Sequence, residues 1–251
     1  MKHDTNPSHQ QGALYGIGVG PGDPDLIPVK AVKILQTVDV IFTASSTKNE
    51  HSLAVRVAAP HLPQGIPVHN LPFPMSRDRE TVRAAWEENA GRVLGHLNQG
   101  QSAAFLTMGD PLTYSTFSYL LRTLHNLDPQ VSITTIPGIT SYQAAAAATN
   151  TPLVEGEENL LLLSGVKGGN GIRHSSAMQA DTVVFLKAYK KCAHIVHSLE
   201  ECGRLHSSLG VVRCSFPDQE VVRDLSQLAQ KAPKYWTLIL SRKKDPYAVE
   251  D

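Results

Sequence analysis

The stretch Ala13-Leu14-Tyr15-Gly16-Ile17-Gly18-Val19-Gly20-Pro21-Gly22-Asp23 decides how the rest of this sequence is read. Ala13–Val19 is an apolar, strand-like run that dissolves into alternating glycines, and Val29–Thr37 beyond it has helical periodicity. Strand, glycine turn and helix in that order invite a dinucleotide-binding reading, but the spacing refuses it. No triplet fits G-x-G-x-x-G, because the third positions are Pro21 and Asp23. The acidic residue expected at the end of the second strand is also missing, since Asp39 opens that strand instead. What remains is a turn whose glycines let a ligand approach the backbone, with the Asp23 carboxylate at the strand's carboxyl end. A plain glycine turn in which Asp23 caps the next helix fits the same residues.

Working outward, strands and helices alternate. Val38–Ala44 reads as a second strand, Asp78–Gln99 as a long amphipathic helix, and Ser102–Thr107 as a third strand. Tyr114–Asn126 is a helix stopped by Asp128-Pro129. Val131–Ile136 is a strand whose Pro137-Gly138 turn enters the helix Thr140–Thr149. Beyond Pro152 lie strands at Leu160–Ser164, Thr182–Leu186, Gly210–Cys214 and Tyr235–Ser241, with a helix around Cys192–Cys202. The alternation predicts an α/β fold of two α/β domains, 1–150 and 151–251, with the boundary near Asn150-Thr151-Pro152. The glycine-rich segment Val166–Ser176 is expected to be a mobile surface loop.

Composition narrows the function classes. The 251 residues, 41% hydrophobic and 18% charged, suit a globular chain with a real core. Basic and acidic residues balance at 23 each, so no bulk field draws the chain to nucleic acid or to an anionic membrane. Apolar runs are strand-sized, too short to span a bilayer, and Met1–Gln11 reads as a polar frayed arm without a signal-peptide core. Three cysteines in no metal-ligand spacing fit a reducing cytoplasm. His194 and His197 lack a third ligand at a persuasive spacing, so they are expected to be satisfied or surface histidines, and no protein-bound metal is expected.

Two further loops repeat the logic of the first. Thr107-Met108-Gly109-Asp110-Pro111-Leu112-Thr113-Tyr114-Ser115-Thr116 follows the buried strand Ala103–Leu106. Gly109 bares backbone groups able to recognise a ligand, although Asp110-Pro111 serves equally as a turn and Ser115 as a helix cap. Ile136-Pro137-Gly138-Ile139-Thr140-Ser141 leads into the small residues Ala144–Ala148, suited to tight packing. Three such loops at carboxyl ends of strands point to one shared ligand crevice.

Taken together, GVGPGDPDL (Gly18–Leu26), GDP (Gly109–Pro111), PGITS (Pro137–Ser141) and PLVEGEE (Pro152–Glu158) resemble the tetrapyrrole methyltransferase family from Leu14 to about Arg242. Within it, GDPLTYSTFSYLL (Gly109–Leu121) and LPFPM (Leu71–Met75) look like the branch that methylates carbon 20 of precorrin-2 or cobalt-precorrin-2. Ile27-Pro28-Val29 departs from the usual Leu-Leu-Thr, and Lys187 stands where relatives often carry an apolar residue.

The resemblance implies two α/β domains with a cleft between them, S-adenosylmethionine as methyl donor, a tetrapyrrole substrate and a homodimer. It implies cofactor contacts at Pro21, Met108, Gly109, Asp110, Thr113, Thr140, Ser141, Lys187 and Ser215. Asp23 and Tyr114 are the candidates for work near the transferred methyl, each with a structural hydrogen bond as its plainer role. A substrate rich in carboxylates would want cations, for which Lys187, Lys190, Lys191, Arg173 and Arg213 are available. Competing readings are methylation at another ring position and a non-catalytic tetrapyrrole carrier.

Overall fold

The structure, a computed structural model, describes residues 11–45, 53–74, 76, 78–173, 178–230 and 235–243. Of the arm Met1–Gln11, only Gln11 is among these. Its amide is tied down, donating to Asn98 Oδ1 and Asp128 Oδ2 at 2.9 Å each. Met75 of LPFPM and residues 174–176 of the glycine-rich segment lie outside the described residues.

The chain divides into two compact units, Met1–Ile139 and Thr140–Asp251. The sequence reading set the boundary near Asn150. The earlier division follows from the helix Ser141–Thr149, which packs on a strand of the second unit.

In the first unit, β1 (Leu14–Gly18), β2 (Val40–Ser45), β3 (Val68–Pro72), β4 (Ala103–Thr107) and β5 (Ile133–Ile136) form a sheet of order β3-β2-β4-β1-β5. Every pairing is parallel. All five carboxyl ends therefore emerge on one edge, and Gly20, Gly109 and Gly138 follow β1, β4 and β5 there. Asp39 opens β2 at the other edge, where its Oδ2 accepts from Ser102 N at 2.7 Å.

The connecting helices are α1 (Val29–Leu35), α2 (Leu53–Ala58), α3 (Arg79–Leu97) and α4 (Phe117–Leu127). Asp78 starts α3 by accepting from Glu80 N and Thr81 N at 3.2 Å each. Ala90, Val93 and Leu97 of α3 and Phe117, Leu120 and Leu124 of α4 pack on Leu14, Phe42 and Phe105. Each fully buried large side chain here contributes roughly 1.5–3 kcal/mol. Farther out, Trp86 and Tyr119 stack at 4.5 Å and 8°, joining α3 to α4.

The second unit opens with α5 (Ser141–Thr149). Its sheet of β6 (Leu160–Ser164), β7 (Thr182–Leu186), β8 (Ser208–Val212), β9 (Glu220–Val222) and β10 (Thr237–Arg242) has the order β6-β7-β10-β8-β9. β10 runs antiparallel to both β7 and β8, so those two strands share a direction and a carboxyl edge. α6 (Cys192–Glu201) and α7 (Ser226–Gln230) cover a core containing Val183, Phe185, Ile195, Leu199 and Ile239.

The described part of the expected surface loop is exposed at Val166, Lys167, Asn170 and Arg173 but sends Ile172 into that core. Gly165–Lys167 and Gly169–Arg173 are 3-10 turns, with Gly169 and Ile172 buried. The glycines serve close packing: a Cβ on Gly169 would lie 2.6 Å from the Ser198 side chain. His194 Nδ1 accepts from Gly169 N at 3.0 Å, which makes it the satisfied histidine the sequence suggested. Arg204 knits the amino end of β7 to β10, donating to the carbonyls of Ala180, Asp181 and Ser241 at 2.8, 3.0 and 3.0 Å. No helix among the described residues is long and apolar enough to cross a membrane.

Candidate functional site

At the carboxyl edge of the first sheet, three loops meet backbone to backbone. Gly109 N donates to Gly20 O at 2.7 Å, and Gly20 N returns a bond to Gly109 O at 3.3 Å. Gly18 and Gly138 press on the same carbonyl. A Cβ on Gly18 would stand 2.4 Å from Gly109 O, and one on Gly138 2.1 Å from it. Glycine is required at both positions because of what they touch rather than for their dihedral angles. One layer below, a Cβ on Gly16 would strike the Phe117 ring at 2.1 Å, so a glycine seats the start of α4 beneath β1.

Asp110 organises the middle loop. Its Oδ1 accepts from Leu112 N at 2.9 Å and from Thr113 Oγ1 at 3.2 Å, while its Oδ2 accepts from Gly138 N at 3.2 Å. Both oxygens are thus engaged in holding loops, the turn role that the sequence also allowed. Ser115 joins in: its Oγ lies 3.0 Å from Thr107 Oγ1 and accepts from Phe117 N at 3.1 Å. Met108, Gly109 and Thr113 are half-buried and Pro21 is buried. Tyr114 sits in the left-handed region, φ 50, with 49% of its surface exposed. α4 begins only at Phe117, three residues later than expected, because this loop turns back before the helix starts.

Asp23 is half-buried at the tip of the first loop, where its Oδ1 accepts from Asp25 N at 2.9 Å and caps a 3-10 turn. Pro21, Asp23, Met108, Gly109, Asp110, Thr113 and Tyr114 accordingly all belong to the loops that leave this edge of the first unit.

Four of the expected residues lie in the second unit. Thr140 and Ser141 begin α5. Thr140 is buried, and its hydroxyl takes part in a capping box, donating to Gln143 Oε1 at 2.8 Å. Lys187 follows β7 with φ 59, and Ser215 lies just beyond β8 with φ 63; Arg213 between them in sequence has φ 50. Such conformations cost side-chain-bearing residues about 1–3 kcal/mol each. Three at one sheet edge mark a place where surroundings override local preference, which no sequence pattern reveals. Ser215 N donates to Gln219 Oε1 at 2.7 Å and Arg213 N to Trp236 O at 2.7 Å, fixing the edge. Tyr189, Tyr235 and Trp236 line up beside it at ring separations of 4.8 and 5.0 Å. Partial desolvation lowers the Lys187 ammonium below the usual lysine value, although the residue as a whole is exposed.

Among the five basic candidates, Arg213 and Arg173 are held by acidic partners. Arg213 binds Asp218 Oδ1 at 2.6 Å, with its guanidinium 4.6 Å from the centre of the Phe216 ring, and Arg173 pairs with Glu201. Lys190 lies 5.6 Å from the Tyr189 ring centre. Among the described residues, no three His, Cys, Asp or Glu side chains are grouped to hold a metal.

A family model described as Tetrapyrrole (Corrin/Porphyrin) Methylases matches residues 13–229, which contain every loop just described. The chain belongs to the tetrapyrrole methylase family. Among its relatives, the cobalt-precorrin-2 C(20)-methyltransferase of Salmonella typhimurium is 30% identical over 94% of this chain and 99% of its own length. A probable cobalt-precorrin-2 C(20)-methyltransferase of Methanocaldococcus jannaschii is 40% identical over 60% of this chain and 63% of its own length. A uroporphyrin-III C-methyltransferase from Thermus thermophilus, solved in complex with S-adenyl homocysteine, shares the fold with a TM-score of 0.66. It is 23% identical, covering 92% of each chain.

Within this tetrapyrrole methylase, the fourth motif, PLVEGEE, turns out to have a mechanical role. Arg242, whose side chain is 5% exposed, donates to Pro152 O at 2.7 Å and grips Glu158 at 2.7 Å and Glu155 at 3.3 Å. Arg242 pairs with Thr182 at the start of β7, whereas Lys187 follows its end, so the clamp lies on the edge opposite Lys187. The sequence reading also missed β3 and the residues that fix its tip.

Proposed function

We propose that this chain transfers the methyl group of S-adenosylmethionine to carbon 20 of precorrin-2 or cobalt-precorrin-2 in cobalamin biosynthesis. One observation carries the reading: the glycine junction at the parallel sheet's carboxyl edge, in a chain alignable with 99% of a relative bearing that name. In open sheets of this kind, that edge is where ligands bind.

The residues suit the donor. The first-unit edge presents glycine turns that let a ligand approach the backbone closely, and the second presents Lys187 and Ser215. Bound S-adenosylmethionine supplies a methyl group on a positively charged sulfur, ready for displacement. The chain's contribution is alignment of that methyl with an electron-rich carbon, an effect worth on the order of 7–11 kcal/mol at best. In this reading Pro21, Met108, Gly109, Asp110, Thr113, Thr140, Ser141, Lys187 and Ser215 are the residues assigned to donor binding. Asp110 acts from behind, by keeping two loops in register. Asp23, with one carboxylate oxygen in its cap, takes the proton released from carbon 20, and Tyr114 orients the ring. Lys187 and Lys190 meet substrate carboxylates. The working form is a cytoplasmic homodimer, for which light scattering showing only monomer is the contrary result.

The deciding experiment is incubation with S-adenosylmethionine and each form of precorrin-2, with products read by mass and by position-resolved NMR. A single added methyl at carbon 20 supports the proposal. Methylation elsewhere, or failure to take up the donor at millimolar concentration, overturns it.

A further inference from the structure

One buried polar side chain in the first unit has no part in the mechanism above. Asn89 lies on the face of α3 that turns to the sheet, beside Ala90 and Val93, and none of its surface is exposed. Its Nδ2 donates to Pro72 O at 2.7 Å, while its Oδ1 has no partner among the described residues. An amide buried with half its capacity unused is a poor choice for stability; a leucine of similar shape would avoid the unmet acceptor. The bond therefore fixes a position.

Pro72 is the last residue of β3, on the edge from which the ligand loops emerge. Past it, Phe73 N donates to Ser45 O at 3.3 Å, and the Phe73 ring meets Phe105 edge-on at 6.3 Å. Phe105 in turn lies 5.6 Å from Phe117, the ring seated under Gly16. A row of contacts thus runs from Asn89 past the tip of β3 into the core beneath β1, where Phe117 lies under Gly16. β3 is separated from β5 by four strand spacings, about 19 Å. A methyl donor at the tips of β4, β1 and β5 does not need the far end of that row, but a macrocycle with carboxylate arms does.

We infer that Asn89 is a positioning residue for the tetrapyrrole: it sets the end of β3 and Phe73 as the outer wall of the macrocycle's seat. This rests on the function proposed above. Wild-type turnover of cobalt-precorrin-2 is measured first, and its absence sinks both readings together.

The test is Asn89→Leu in the full chain. Its melting temperature should be unchanged or raised. Its KM for cobalt-precorrin-2 should rise roughly tenfold, the worth of one fixed hydrogen bond, with kcat and donor affinity by calorimetry near wild type. Asn89→Thr, which keeps a donor, should recover part of the loss. Phe73→Ala leaves Asn89 in place and should reproduce the KM rise, so it carries the test if the leucine variant does not fold. An unchanged tetrapyrrole KM in the folded variants, or donor affinity falling in parallel, refutes the inference while the wild-type activity stands.

Discussion

Gly138 N donates to Asp110 Oδ2 at 3.2 Å, so the turn after β5 is fastened by a side chain from the loop after β4. Because Asp110 Oδ1 simultaneously holds Leu112 N, one carboxylate sets the spacing of two of the three loops. Asp110→Asn keeps the second acceptor but turns an amide donor toward the Gly138 N–H. Loss of one such bond at a semi-buried site costs about 1–3 kcal/mol. Calorimetric melting and kcat/KM should both fall, the latter by about tenfold or more. Wild-type values in both would show that the fastening is dispensable.

Glycine substitutions should separate sharply by surroundings. Gly138→Ala places its new methyl 2.1 Å from the Gly109 carbonyl oxygen, backbone that has nowhere to go. Overpacking of that sort costs about 1–3 kcal/mol, and here the upper end or beyond is expected. Gly91→Ala on α3 meets nothing within 4 Å and should stabilise by about 0.5–1 kcal/mol. Urea titration of both variants checks the contrast; equal effects would mean that the junction is looser than its distances imply.

Asp23→Asn separates capping from proton transfer. Asparagine caps as well as aspartate, so melting should not change. Without a carboxylate to take the proton, turnover should fall by roughly 10²–10⁴-fold. Retained turnover would leave Asp23 as a cap only, and a parallel Tyr114→Phe assay would then show whether alignment alone drives the reaction.

Acid stability should depend on His69. It lies 5.1 Å from His96, ring centre to ring centre, and its pKa is lowered by burial first, then by His96 and Arg92. The unfolded chain therefore takes up a proton at His69 more readily than the folded one. The stability it contributes is complete above the ordinary histidine value, about 6.5, and is lost as pH falls through the lower folded value. Denaturation midpoints taken from pH 7.5 downward should fall less steeply in His69→Gln, and identical slopes would contradict this.

Much of the first unit could be read from the chain, because β1 and β4 are largely apolar and β1, β4 and β5 each lead into a glycine-containing turn. β3 escaped: Pro67 precedes it, Pro72 ends it, and only Leu71 of its five residues is buried, so it carries neither the apolar run nor the alternation that announces a strand. Being an edge strand, it tolerates proline. The packing of Gly168 and Gly169 escaped for another reason. Glycine there serves close approach to α6, which composition cannot distinguish from a pliant loop. At the site, residue types were legible but their division of labour was not. That Asp110 spends both oxygens on loops, and that Arg213 is held by Asp218, are facts of distance.

The Arg242 clamp on Glu155 and Glu158 sits at the amino end of β7, and the strained Lys187 lies past its carboxyl end. The fastening in the second unit is thus a full strand length from the residue proposed above for recognition. Altering what grips a ligand on one rim need not loosen the rivet on the other, so specificity in this half of the molecule is free to drift while its framework stays put.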